Sequence, residues 1–402
     1  MRANTKRGVA LAAVLALAAT ACGGDDDDAA DAPADTEAEA PTETEPDAPA
    51  DTSGDAPAEC ESPTPVKLQL QWFTQAQFAG YYAALDQGFY DEQCLDVEIL
   101  QGGVDIQPHV VLADGGSDFA ISWVSKALAG REAGADITDI AQVFQRSGTL
   151  QVSWADAGIA SVADFEGKKV GNWGFGNEYE IFAALGEAGL DPASDVELVA
   201  QDFDMNGLLD REIDAAQAMT YNEYAMLLEA VNPDTGELYQ PEDFSVISYS
   251  DIGVGMLQDA IWADQSRLEE DPEYHDTAVR FVAASLQGWA FCKDNVQQCA
   301  EITTNAGSTL GTSHQLWMMN EINKLIWPSP EGLGYIVPAE WDSTVEISRN
   351  TPNLDGSTVL TQDVTEGAYT NEIVEAAWEL IGGNQADGQY TPIEVELLEG
   401  GA

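Results

Sequence analysis

Positive charge is nearly missing from this chain. Fifteen Lys and Arg stand against 71 Asp and Glu in 402 residues, a formal net charge of −56. Such a polyanion repels nucleic acid and anionic lipid surfaces, so neither is an expected partner. Histidine is as scarce: His109, His275 and His314 are scattered at no metal-ligand spacing, are assigned no role, and no metal or cofactor is expected. Gly102-Gly103 lacks the glycine pattern of a nucleotide loop. Beyond one short run near the start, no stretch is long and apolar enough for a transmembrane helix. Cysteines number only five: Cys22, Cys60, Cys94, Cys292 and Cys299.

What is present begins with Arg2, Lys6 and Arg7, followed by an apolar run from Val9 to Ala19 and then Thr20-Ala21-Cys22. A short apolar segment behind basic residues and before small ones reads as a secretory signal. The cysteine at the cleavage point resembles a bacterial lipoprotein signal. That resemblance implies that residues 1–21 are removed, that Cys22 is lipidated, and that the protein sits outside the cytoplasm on the outer face of the cell membrane. An ordinary cleaved signal with an incidental cysteine is the alternative. Residues 22–62 carry fifteen acidic residues and no basic one. Their composition cannot bury enough apolar surface to offset ordering entropy, so a disordered acidic tether of roughly 35 Å is expected. The remainder is acidic too, a solvated shell that would suit a saline habitat.

An even number of cysteines after Cys22 suggests two disulfides in an exported chain. Cys292 and Cys299 would lie about 10.5 Å apart on one continuous helix, beyond disulfide reach. "CKDN" between them instead reads as a helix end with Asp294 capping a new helix, a turn that brings the sulfurs together. Cys60 and Cys94 are then left as the second pair. Metal binding is the alternative use of these thiols.

From Val66 onward, strand-like and helix-like stretches alternate, which implies parallel α/β sheets. "VKLQLQW" has period two, and "QFAGYYAALDQGFY" sets Phe78, Tyr81, Tyr82 and Leu85 on one helical face. A second cycle starts at "KKVGNW", and after "GMLQDAIWA" the chain turns mainly helical. This order resembles the α/β, two-lobed periplasmic-binding-protein fold (type II) with a mainly helical C-terminal part. Lobe one is expected from 63–153 and 254–347, and lobe two from 154–253, with crossings near Val152–Ala155 and Asp251–Val254. A C-terminal extension, 348–402, is expected to pack on lobe one.

The segment "LQLQWFTQAQFAGYYAALDQGFYDEQCLDVEILQGG", with "SDFAIS", "GKKVGNWGFGNEYE" and "DAAQAMTYNEY", resembles the substrate-binding components of importers for thiamine pyrimidine precursors. Their superfamily also includes riboflavin, taurine and nitrate binders. The resemblance implies a monomer that binds a small molecule and delivers it to an ABC permease and its ATPase. Trp72, Trp123, Trp173 and Tyr221 fall at strand ends, where a flat ring could stack. Gln71, Gln75, Gln77, Asn172, Asn177 and Asn222 offer paired donors and acceptors. Glu178, in the glycine-flanked turn before a helix, could accept N–H groups; Glu223 and Tyr81 complete the candidate set. Lys126 and Arg131 are read as facing solvent. With Lys and Arg nearly absent from these segments, a nitrogen heterocycle is favoured, a thiamine pyrimidine precursor first, with riboflavin or another organic solute such as a sulfonate as alternatives. Core-capping roles for the tryptophans and helix-dipole roles for Glu178 and Glu223 compete with each assignment.

The same superfamily includes enzymes that build the thiamine pyrimidine by consuming a histidine. Alignment from Trp72 to Gly80 places Phe78 at that position, and the enzymes' cysteine-rich iron motif has no counterpart, so catalysis is disfavoured. A ligand-sensing module docked to a membrane receptor is a third reading.

Overall fold

The computed structural model describes residues 60–402; the signal segment, Cys22 and the tether up to Glu59 lie outside the described residues. Val66 and Leu68 are buried while Lys67 points outward, and this alternation makes Thr64–Gln69 the strand β1. It is followed by α1 (Ala79–Asp86), α2 (Phe89–Glu92), β2 (Leu95–Leu100), α3 (Pro108–Ala113) and β3 (Phe119–Trp123). Then come α4 (Val124–Glu132) and β4 (Ile137–Gln142). The second run holds β5 (Thr149–Trp154), β6 (Lys169–Asn172), α5 (Tyr179–Glu187), β7 (Glu197–Ala200), α6 (Asn206–Leu209), β8 (Ala215–Met219), α7 (Glu223–Leu228) and β9 (Phe244–Ser248). The chain returns through β10 (Asp259–Asp264) and then runs through helices only. These are α8 (Gln265–Glu270), α9 (Pro272–Asp294), α10 (Val296–Asn305), α11 (Thr312–Ile326), α12 (Pro338–Asn350) and α13 (Glu372–Ile381).

Two five-stranded sheets result, ordered β2-β1-β3-β10-β4 and β7-β6-β8-β5-β9. The sheets are mixed rather than parallel throughout. β10 runs antiparallel to β3 and β4, and β5 antiparallel to β8 and β9. In each sheet the reversed strand is the one that has just arrived from the other lobe. The first crossing therefore lies between Gln142 and Thr149, ahead of the expected Val152–Ala155, because all of β5 pairs within the second sheet. The second crossing runs from Tyr249 to Gln258 and contains the expected Asp251–Val254. Gln258 ties the two crossings together: its Oε1 accepts from the Gly148 N–H at 2.9 Å and its Nε2 donates to Thr149 Oγ1 at 2.8 Å.

Lobe one is centred on α9. Pro272 occupies its first turn, and Asp271 accepts from the Glu273 N–H at 3.0 Å, so the helix start is capped. Phe281 on α9 stacks on Phe119 of β3 with ring centroids 4.4 Å apart. The same helix passes α1 at a glycine pair, where a Cβ on Gly288 would stand 2.0 Å from the Gly80 carbonyl oxygen. Lobe two has its own apolar clusters, around Phe165, Ile181 and Leu185 and around Val152, Leu208 and Phe244.

Disulfides join Cys60 to Cys94 and Cys292 to Cys299, with Cα atoms 5.6 and 5.5 Å apart. The break that allows the second falls one residue later than expected. Asp294 ends α9, and Asn295 precedes α10 with its side chain donating back to the Phe291 carbonyl at 2.9 Å. The C-terminal extension also differs from expectation. Its α13 packs on α9 and β4 of lobe one, but its end reaches lobe two, where the Gly400 N–H meets the Glu229 carbonyl at 3.1 Å.

Candidate functional site

The C-terminal ends of parallel strands in both sheets open onto one cavity of about 890 Å³ between the lobes. Trp72, Gln75, Gln77 and Trp123 line it from lobe one; Trp173, Asn177, Glu178, Tyr221, Asn222 and Glu223 line it from lobe two. Four aromatic rings thus stand at the ends of β1, β3, β6 and β8. Tyr81 is not among them. It lies in the core of lobe one, edge-on to Trp289 at 5.5 Å, because α1 turns that face toward α9. Its neighbour Tyr82 bonds Thr74 at 3.0 Å.

Phe203 joins the aromatic wall. It meets Trp72 at 4.7 Å across the lobes and stacks on Trp173 at 6.1 Å with planes 16° apart. Trp123 and Trp173 are largely buried, 8 and 6% exposed, so each packs in its lobe and shows the cavity one face. The Trp173 Nε1–H has no hydrogen-bond partner among the described residues, and a buried donor of that kind is costly unless an acceptor comes to it.

Behind the wall sits Asp259, the first residue of β10 and only 2% exposed. Gln71 and Trp123 donate to its Oδ1 at 2.5 and 2.8 Å, and Gln77 donates to Oδ2 at 2.9 Å. Gln75 in turn donates to Gln77 at 2.7 Å. One carboxyl therefore orients four side chains of lobe one. Burial pushes its pKa up to about 7, against those donors and Lys126, which favour the charged form. This aspartate is one acid among 71, and its only signal in the sequence is an acidic residue directly ahead of the apolar "AIWA".

Lys126 does not face solvent. It lines the cavity, with Nζ 4.5 Å above the Trp123 ring and donating to Asn177 Oδ1 of lobe two at 2.9 Å. Desolvation lowers its pKa to about 8, and Glu178 and Asp259 nearby oppose that shift. Arg131 is also half-buried, bonding the Ile137 carbonyl, Gln265 at 2.9 Å and Thr365 at 2.8 Å. His109 lines the cavity beside Lys126, and burial holds its pKa down at about 4.

Lobe two builds its side from the β6–α5 turn and the start of α7. Gly174, Phe175 and Gly176 all take left-handed backbone angles, φ 66, 55 and 86°. The turn is braced by its own side chains: Asn172 Oδ1 accepts from the Gly174 N–H at 2.9 Å, and Glu178 Oε2 accepts from the Gly176 N–H at 2.8 Å. Asn177 Nδ2 donates to the Gly174 carbonyl at 2.7 Å. Glu223 is buried and accepts from the Met219 N–H at 2.9 Å and from Asn222 Nδ2 at 2.7 Å. Asn222 Oδ1 meets His314 Nε2 at 2.9 Å, and His314 Nδ1 meets Glu229 at 2.9 Å. A histidine with no sequence signal thereby fastens α11 to α7.

The NMT1/THI5-like family matches residues 75–298, more than half of the chain. A formylaminopyrimidine-binding protein of Halalkalibacterium halodurans is 21% identical over 237 residues, covering 59% of this chain and 68% of that protein. The riboflavin-binding protein RibY of Chloroflexus aurantiacus is 24% identical over 319 residues, covering 76% of this chain and 85% of its own. Among solved structures, a putative periplasmic sulfonate-binding protein SsuA of Methylobacillus flagellatus superposes with a TM-score of 0.55 at 16% identity, over 84% of this chain and 99% of that one. The fold is accordingly that of the two-lobed periplasmic binding proteins, and the chain belongs to the NMT1/THI5-like family.

Proposed function

We propose that this protein is the extracytoplasmic substrate-binding component of an ABC importer, anchored through Cys22, and that it captures a planar nitrogen heterocycle between its lobes. The observation that carries the reading is the set of four strand-end rings around one interlobe cavity, with amide and carboxyl groups between them. Such a site can stack a flat ring and read its edge. The names of the formylaminopyrimidine and riboflavin binders support the same ligand class. Sulfonates fit less well despite the SsuA likeness. Among the described residues Lys126 is the one Lys or Arg on the cavity wall, and Glu178 and Asp259 already offset its charge. An anion would need a cation free to pair with it.

Binding would follow from contacts to both lobes that favour the closed form about the two crossings. The test is mass spectrometry of small molecules released on denaturation, followed by titration with an aminopyrimidine thiamine precursor, riboflavin and an alkanesulfonate while tryptophan emission is recorded. Quenching by a heterocycle and none by the sulfonate is expected. Recovery of the heterocycle unchanged after long incubation is expected of a carrier. Quenching by the sulfonate alone would falsify the assignment.

A further inference from the structure

The cavity does not end at the tryptophans. Its outer part is lined by Val104, Ile106 and Val110 of lobe one and by Phe175 of lobe two. All four are exposed, Phe175 at 79%, which places them at the open edge. Single exposed apolar residues need no explanation, but four around the mouth of one cavity do. Phe175 is also held there against its own preference. Its φ of 55° is disfavoured for a residue with a Cβ, and the bonds from Asn172, Asn177 and Glu178 brace the turn on both sides of it. The space is ample as well. About 890 Å³ falls near the top of the range of roughly 300–1,000 Å³ that encloses multi-ring ligands, far beyond what a single six-membered ring fills.

We propose that Phe175, Val104, Ile106 and Val110 form an outer subsite for the apolar far edge of a fused-ring heterocycle whose polar edge lies among the inner groups. This rests on the heterocycle reading and narrows it to ligands of flavin size. Gln75, Asn222 and the unpartnered Trp173 Nε1–H are buried on the inner wall, and the aliphatic and phenyl groups stand at the mouth beside the exposed polar side chains of Gln107, Asp114 and Asp136. A three-ring ligand with a donor–acceptor pyrimidine edge and a hydrocarbon opposite edge would satisfy both ends at once.

Calorimetric titration of the mature protein and of Phe175→Ala, each with riboflavin and with a one-ring aminopyrimidine, tests this. Riboflavin should bind the unaltered protein more tightly. Phe175→Ala should weaken riboflavin about tenfold and the aminopyrimidine by no more than about twofold, with Phe175→Leu restoring most of the loss. Because the ring is exposed and outside the lobe cores, the variant keeps its fold. Equal losses for both probes, or no loss for riboflavin, overturn the outer subsite; the latter would leave the mouth to a docking protein. Binding of the aminopyrimidine without riboflavin overturns the subsite alone. Failure of both to bind the unaltered protein overturns the heterocycle reading together with it.

Discussion

Asp259 and Lys126 give the cleft two nearby titrations of opposite sense. Above about pH 7 the Asp259 carboxyl is ionised, and its bonds from Trp123, Gln71 and Gln77 become charge-assisted. Above about pH 8 Lys126 loses its charge and its hold on Asn177 weakens. Tyr81, Tyr221, Glu178 and His109 are the other ionisable groups close enough to feel this pair. Heterocycle affinity should therefore be highest between the two values, and Asp259→Asn should remove the acid limb while leaving the alkaline one. Stability moves the other way. A carboxyl raised from 3.8 to about 7 favours the fold while protonated, so its contribution is complete below its ordinary value and lost as pH rises to about 7. Asp259→Asn should flatten a loss of up to about 4 kcal/mol across that window in chemical denaturation; an unchanged slope would count against the assignment. The rings and amides of the cleft were legible because aromatic and amide side chains at strand ends form a pattern. Asp259, Lys126 and His314 form none, since what distinguishes them is burial supplied by segments more than fifty residues away.

At the level of elements, the close pass of α1 and α9 depends on two hydrogens. A methyl group on Gly288 would run into backbone, which cannot swing aside as a side chain can. Gly288→Ala should cost roughly 1–3 kcal/mol or more and lower the thermal midpoint, whereas Gly186→Ala, whose Cβ meets nothing, should leave it unchanged or raise it. The mainly helical run after "GMLQDAIWA" was readable in the sequence, because α9 and α11 each pack one face along their whole length. Strand direction was not. "TLQVSW" is buried at every position, so its pattern is equally consistent with either sheet and either direction. Only the pairing of Thr149 with Met219 and Leu150 with Ser248 assigns it to the second sheet.

Over the whole molecule, the exchanged strands make the lobes unequal in one respect. All five strands of lobe two, β5 to β9, are contiguous between Thr149 and Ser248, whereas β1 to β4 lack the strand between β3 and β4 until Asp259–Asp264 arrives. The covering helix α9 comes later still, ending at Asp294. Loop closure favours the contiguous set. Pulse-labelled hydrogen exchange during refolding should protect the amides of β5–β9 before those of β1–β4, and simultaneous protection would argue for a single cooperative nucleus. For a chain made from its N-terminus, the part synthesised first would be completed last. Nearly 300 residues must emerge before lobe one can close, a delay that would keep the stretch from Val66 to Gln142 threadable through a narrow pore.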